Sequence, residues 1–405
     1  MKGISKLAIG IALTSYGLRA VAAVEEPAHI DWGVVEVTPL AVLNIGYDDN
    51  IFQNSVTDGL KNKSSTVYDL EASVEFKAQQ GLNTYVVRAA AKNKHFTSEQ
   101  DADFTNIGLD ANLYHELNSR NRIDLTLGIG NYHDEGSTVN GVVDLSAPEY
   151  IRTTGRLLYG LGGQEAILRA DLFGGYNMQD YKTSNGLAQG NDRKTTELGG
   201  TAFYRFMPVT DALVEIKQRK LDYTGVNSAG YDITSYLVGL SWEATVKTTG
   251  YAKLGRRYRS SQVSGVGSEG YTGWEVGASY LPLEHSLIQF STARDYGLES
   301  GNPQDVTFTQ GTSTEVSWKH GWTSRISTRV TYRYTNEELQ RASGEALKHL
   351  TLNDFGVGVE WQLRRYATLG FSWNTIDRNE KALAVGQTPD GFSRNVYMLT
   401  AEVSL

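Results

Sequence analysis

The chain has 405 residues, 40% of them hydrophobic and 21% charged, with 42 Gly, 23 Tyr, 7 Pro and no Cys. Without cysteine there is no disulfide framework, no thiolate nucleophile and no thiolate metal site. The net charge of −8 argues against a nucleic-acid partner, which would need a positive face, and no window past residue 22 offers the unbroken apolar run of a membrane-spanning helix.

In chain order, the first element reads as a secretory signal. Lys2 and Lys6 make a positive n-region, Leu7 to Leu18 a short apolar h-region, and Ala20-Val21-Ala22 a small-x-small cleavage pattern. Residues 1–22 are thus expected to be removed on export. Residues 23–33 read as a short periplasmic lead-in, and 34–405 as one domain.

From residue 34 the dominant period is two. In Tyr231 to Val246, the residues Tyr236, Val238, Leu240 and Trp242 share one face, with Ser235, Gly239, Ser241 and Glu243 on the other. Ser324 to Tyr334 and Thr66 to Lys77 repeat the design. Alternation this long predicts strands with one apolar and one strongly polar face. Eighteen follow one another, over 35–51, 66–78, 82–96, 103–116, 121–134, 149–162, 165–181, 193–207, 211–224, 231–246, 249–262, 270–281, 285–297, 305–319, 323–337, 349–363, 365–378 and 393–405. Breaks after even-numbered segments are short, as at Gln79-Gln80-Gly81 and Lys247-Thr248. Breaks after odd-numbered ones are long and polar, as at 52–65, 135–148 and 379–392. Short turns at one end, long loops at the other and an even strand count are the pattern of an outer-membrane β-barrel of a Gram-negative bacterium, integral, with both termini in the periplasm.

A soluble β-sandwich also alternates. Two features favour the barrel. The segments run longer than typical soluble strands. Their apolar face also carries Tyr68, Tyr85, Tyr159, Tyr204, Trp242, Trp274, Trp318, Trp361, Trp373 and Tyr397 towards the strand ends, where an amphipathic ring suits the headgroup level. The final segment alternates Tyr397, Leu399, Ala401, Val403 and Leu405 to the chain end. It resembles the terminal strand of substrates of the outer-membrane barrel assembly machinery, which usually end in Phe. The fold expected is all-β: a single transmembrane antiparallel barrel of about eighteen strands in outer-membrane lipid.

Charge at mid-strand depth on the lipid face would cost about 2–4 kcal/mol per residue, so the polar parity is assigned to an aqueous lumen. Its expected lining includes Arg219, Lys253, Arg257, Arg259, Arg325, Arg329 and Arg333 on the basic side, with Glu71, Glu75, Asp354 and Glu360 among the acids. Bases dominate the ninth, eleventh and fifteenth segments; acids dominate the second, fourth, fifth and sixteenth. A transverse field across the pore is expected, with Arg257, Arg259, Arg329 and Arg333 the strongest candidates for the solute path. Most other charges need no reason beyond lining a wet wall.

Signals for chemistry are scarce. The seven His show no metal-ligand spacing. His95 and His133 fall at outer strand ends, where some barrel hydrolases keep their catalytic groups, yet no Asp-His doublet or Ser-centred motif accompanies them. No enzyme activity, cofactor or metal is expected.

One stretch is more specific. Gly46-Tyr47-Asp48-Asp49-Asn50-Ile51-Phe52, at the outer end of the first segment, resembles the opening signature of an outer-membrane β-barrel porin family associated with exopolysaccharide and capsule export, the CpsB-labelled capsular polysaccharide barrel proteins. The resemblance implies an aqueous conduit for polysaccharide, served by a periplasmic polysaccharide-export protein of the Wza type. On physical grounds alone, Asp48-Asp49-Asn50 reads equally well as a solvated loop start with loose Ca²⁺ affinity. The alternative functions are a general or sugar-selective diffusion porin, and a structural barrel or surface hydrolase.

Overall fold

The computed structural model describes residues 28–53, 63–134, 138–139, 142–143, 147–163, 165–182, 192–224, 230–245, 247–262, 268–297, 307–341, 345–384, 386 and 391–405. The expected signal segment lies outside them. Eighteen long strands form the wall: β1 (Val35–Asp48), β2 (Ser65–Gln80), β3 (Asn83–Phe96), β4 (Phe104–Asn118), β5 (Asn121–His133), β6 (Glu149–Leu161), β7 (Leu168–Tyr181), β8 (Arg193–Met207), β9 (Thr210–Tyr223), β10 (Tyr231–Thr245), β11 (Thr248–Ser261), β12 (Glu269–Leu283), β13 (Ser286–Gly297), β14 (Thr307–Gly321), β15 (Ile326–Arg341), β16 (Ala346–Arg364), β17 (Ala367–Ala382) and β18 (Phe392–Ser404). Each pairs antiparallel with its chain neighbour. β1 also pairs with β18, from Leu40↔Ser404 to Asp48↔Val396, and this closes the sheet. Closure leaves the wall no free edge to pair with another chain.

The register follows from the alternation. With one face apolar and one charged, a slip of a single residue would send every charge into lipid. The observed register instead sets opposite charges side by side on the inner face: Glu71↔Lys92, Glu75↔Arg88, Glu197↔Arg219, Lys253↔Glu275 and Glu315↔Arg333. Such cross-strand pairs favour the register that makes them.

The outer face is a band of solvent-accessible apolar side chains, including Leu70, Leu127, Leu198, Val238, Leu254, Val359 and Leu399. In water this area would be a severe liability; against acyl chains it is the stabilising surface. Of the expected aromatic residues, Tyr68, Tyr204, Trp361 and Tyr397 stand exposed on this face, and Tyr85, Tyr159, Trp242, Trp274, Trp318 and Trp373 are half-buried there. Several tie their polar atom to a neighbour: the Tyr85 hydroxyl to His115 at 2.6 Å, and the Trp318 indole N–H to Ser286 at 3.0 Å. The fold is the expected all-β transmembrane barrel.

Short turns follow the even-numbered strands, so the first described residues and Leu405 lie at the short-turn end. There, Ile30–Trp32 turns at Gly33 (φ +69°) and pairs back on β1 through Ile30↔Val37 and Trp32↔Val35. Part of the segment read as a lead-in therefore belongs to the sheet. A second difference concerns Arg325. The strand expected from 323 begins only at Ile326, because the Thr323 hydroxyl accepts the backbone N–H groups of Arg325 and Ile326 and holds 322–325 as a turn. Arg325 is exposed in that turn and does not line the wall.

Candidate functional site: the barrel interior

The largest charge cluster lies on the inner face of β9 to β13. Lys253 on β11 meets Glu275 of β12 at 2.5 Å and Glu215 of β9 at 3.0 Å. Arg257, two residues along, reaches Glu275 at 2.6 Å and Asp295 of β13 at 2.7 Å. Lys217 approaches the same Glu275 at 3.6 Å, and Arg219 closes the circuit on Asp295 at 3.3 Å and on the Tyr296 carbonyl at 3.2 Å. Arg259 lies 3.3 Å from Glu269 and over the Tyr296 ring. Five bases and four carboxylates thus largely offset one another locally, with one positive charge in excess.

The wall folds sharply to allow this. Arg219 and Asp295 sit four strand spacings apart, roughly 19 Å along a flat sheet, yet their side chains touch. Small inward residues on the intervening strands leave room for long side chains to cross; Arg257 lies flat on Gly273, where a Cβ would stand 2.5 Å from its Nε. A cluster of Leu221, Tyr231, Ile233, Tyr271 and Tyr296 packs beside the circuit towards the loop end. The result is a sealed brace. The Arg257 side chain is 0% exposed and that of Arg259 2%.

The other interior charges show the same local pairing. Arg88 binds Glu71, Arg122 binds Asp171, and Arg169 binds Asp211, each within 2.6 Å. The expected arrangement of a basic arc facing an acidic arc gives way to local pairing: Arg88, Lys92, Arg122, Arg169, Lys253, Arg257 and Arg333 each meet a carboxylate within a few strands, which weakens any field across the pore.

The expected lining residues consequently divide. Arg219, Lys253, Arg257 and Arg259 belong to the brace. Arg333, with its side chain 50% exposed, stands in the lumen between Glu315 at 3.1 Å and Asp354 at 3.7 Å. Arg329, Glu71 and Glu75 are partly exposed on the inner face, and Glu360 is exposed, accepting the Ser327 hydroxyl at 3.2 Å. Asp295 and Glu269 are the members that sequence reading passed over; Glu269 lies just before the strand expected from 270. For Asp295, parity with Gln289 and Ser291 on β13 was the available signal.

The seven-residue motif turns out to be a clasp on the β1–β18 seam. Asp48 faces inward, 1% exposed, and takes the Arg394 guanidinium on both carboxylate oxygens, Oδ1 at 3.1 Å and Oδ2 at 2.5 Å, while its Oδ1 also accepts the Asn50 N–H. Asp49 accepts the backbone and side-chain N–H groups of Asn395 at 2.6 and 2.9 Å. Asn50 donates to the Ser393 carbonyl. Ile51 and Phe52 then fold in among Val67, Phe96, Ala102 and Phe104. Asp48 and Asn50 are buried and their polar groups engaged, so the solvated loop start read from the sequence is corrected. Gly46 sits below, pressed against β18: a Cβ there would lie 2.0 Å from the Tyr397 carbonyl.

His95 gains an acid partner that sequence spacing did not show. Its Nδ1 lies 2.5 Å from Asp103 Oδ2, beside the Tyr68 ring on the outer side of the wall. His133 meets Asn106 at 3.0 Å.

No protein-family model and no curated protein matches the chain. Among solved structures it is similar to OccK1 (OpdK) of Pseudomonas aeruginosa, at 12% identity and a TM-score of 0.48, over 91% of this chain and 99% of that one. It is also similar to the siderophore receptor PirA of Acinetobacter baumannii, at 8% identity and a TM-score of 0.48 over 91% and 80% of the two chains. The copper transporter OprC matches at 9% identity and a TM-score of 0.47, over 94% and 81%. At such identities none of these proteins lends its ligand to this one.

Proposed function

We propose that this chain is an outer-membrane conduit for exopolysaccharide or capsular polysaccharide. The observation that carries a conduit is the division of the wall: a closed ring of eighteen strands with an apolar exterior and an interior of paired charges, a width that leaves an aqueous channel. Local neutralisation suits a long, hydrated, weakly charged polymer, because strong fixed fields would hold it at the wall. The resemblance of Gly46 to Phe52 to the capsule-associated barrels supplies the polymer. In this reading the short-turn end faces the periplasm and receives the chain from a Wza-type export protein. Catalysis has no part in it.

Deletion in the producing cell tests this. Surface polysaccharide should fall while polymer accumulates in the periplasm, and the plasmid-borne protein should restore export. Unchanged surface polymer in the deletion strain, with rapid swelling of protein-loaded liposomes in small sugars, would make the protein a diffusion porin instead.

A further inference from the structure

At the loop end of the inner wall, β5, β6 and β7 bring three tyrosines into one cross-strand row. Tyr132 pairs with Tyr150 and Tyr150 with Tyr181, with ring centroids 6.1 and 5.2 Å apart. Tyr132 has the parity of Arg122, and Tyr181 that of Asp171, so the row belongs to the lumen side. Tyr132 lies down along the wall rather than standing off it. A Cβ at Gly130 would be 2.7 Å from its ring, and one at Gly108 2.7 Å from its hydroxyl. Tyr181 is fixed at the other end of the row, donating to Asp134 at 2.6 Å and accepting the Gln179 side-chain amide at 2.8 Å.

Arg152, in the next row down, rests on this floor. It is exposed, and its guanidinium lies 4.8 Å from the centroid of the Tyr132 ring. Arg88, Arg122, Arg169 and Arg257 each lie against a carboxylate of the wall. Arg152 forms no ion pair among the described residues; an aromatic ring takes the carboxylate's place. A guanidinium stacked on a ring keeps its in-plane N–H donors free, in the fork that matches a carboxylate. Beneath it, Thr154, Asn177 and Thr195 pair across β6, β7 and β8, an uncharged row of hydroxyl and amide groups with Asn177 exposed. The surrounding carboxylates are engaged or distant. Asp134 holds the Tyr181 hydroxyl, and Asp110 ends the lower row two strands away on β4, opposite Arg88. Glu197 stands two rows below that of Arg152, about 13 Å along the strands, opposite Arg219.

We infer that Arg152 and the wall beneath it form a subsite at the loop end of the lumen for a carboxylated sugar, with the carboxylate on the Arg152 guanidinium and the sugar hydroxyls on Thr154, Asn177 and Thr195. This deepens the conduit reading and rests on it: the permeant is a chain that carries carboxylates at intervals. The Tyr132 ring is a positioning group, which aims the guanidinium without neutralising it. One exposed fork holds a carboxylate without a closed pocket that would stop the chain.

Calorimetric titration of the refolded, heat-modifiable barrel in detergent tests the assignment, with trigalacturonate and maltotriose as the probes. Wild type should bind trigalacturonate more tightly than maltotriose, and added salt should weaken only the former. Arg152→Met should lower trigalacturonate affinity by about tenfold, the effect of losing one charge-assisted contact, and leave maltotriose affinity unchanged. Arg325→Met removes the same charge from an exposed turn at the opposite end and should change neither. Tyr132→Leu should weaken trigalacturonate binding and Tyr132→Phe, which keeps the ring, should restore it; this pair decides the matter if Arg152→Met does not fold. A wild-type barrel that binds both sugars equally or neither, or an equal loss in Arg152→Met and Arg325→Met, overturns the subsite and leaves the conduit standing. Unchanged surface polymer on deletion of the gene overturns the conduit, and with it the subsite's role in export, whatever the titration gives.

Discussion

Removing one cation from the sealed brace should unfold far more than removing one from the lumen. Arg257→Met keeps most of the side-chain volume and deletes the charge that Glu275 and Asp295 share at 2.6 and 2.7 Å. Breaking a buried ion pair from one side costs about 3–5 kcal/mol, because the partner stays buried without its counter-charge. Here Glu275 keeps Lys253 and Asp295 keeps Arg219, which places the loss near the lower end, at about 3 kcal/mol. With a urea slope of about 2–3 kcal/mol per molar for a chain of this size, the midpoint should fall by about 1 M or more. Arg333→Met is the matched control: its half-exposed pairs are worth about 1 kcal/mol or less, so the midpoint should move by less than about 0.5 M. Tryptophan fluorescence in detergent reads both transitions, and the chain's seven Trp give ample signal. Reversal potentials in a salt gradient supply the other half. Arg333→Met should shift selectivity towards cations by unmasking Glu315 and Asp354, and Arg257→Met should not. A midpoint for Arg257→Met within about 0.2 M of wild type, or a selectivity shift as large as that of Arg333→Met, would refute the division into brace and lumen.

Other perturbations test the seam, the lipid face and the loop end. Gly46→Ala should block or slow closure of the β1–β18 seam, seen as loss of heat-modifiable migration on a gel, because the new methyl would meet the Tyr397 carbonyl and Met398 sulfur. Leu254→Arg on the exposed band should cost about 2–4 kcal/mol in lipid vesicles, while folding in denaturant-free detergent changes little. Asp134, just beyond β5, is half-buried under the Tyr181 hydroxyl at 2.6 Å, and loss of solvent raises its carboxyl above the ordinary range. A raised folded-state value means that the charged form is a cost at neutral pH, relieved as pH falls through that value towards 4. Asp134→Asn should therefore raise the urea midpoint at pH 7, with the difference from wild type shrinking at pH 4.

Alternation made the wall legible from the sequence. Each strand carries its own record of inside and outside, which is why Lys253, Arg257 and Arg333 are placed on the inner face without reference to any neighbour. What alternation does not encode is which inward residues meet. Arg219 finds Asp295 four strands away only because the wall curves over small residues, and Arg394 finds Asp48 from 346 positions along the chain. Sequence reading thus took a sealed brace for an open basic arc, and left a seam clasp open between a family signature and a loop start. The error at Arg325 is local: parity was extended through a Thr-capped turn that ends the alternation.

Single-channel recording of the refolded protein across a planar bilayer tests the conduit most directly. The wall described here predicts stepwise, ohmic openings with weak charge selectivity. A protein that migrates as a folded, heat-modifiable barrel yet never conducts, or that conducts with strong anion selectivity, would contradict it.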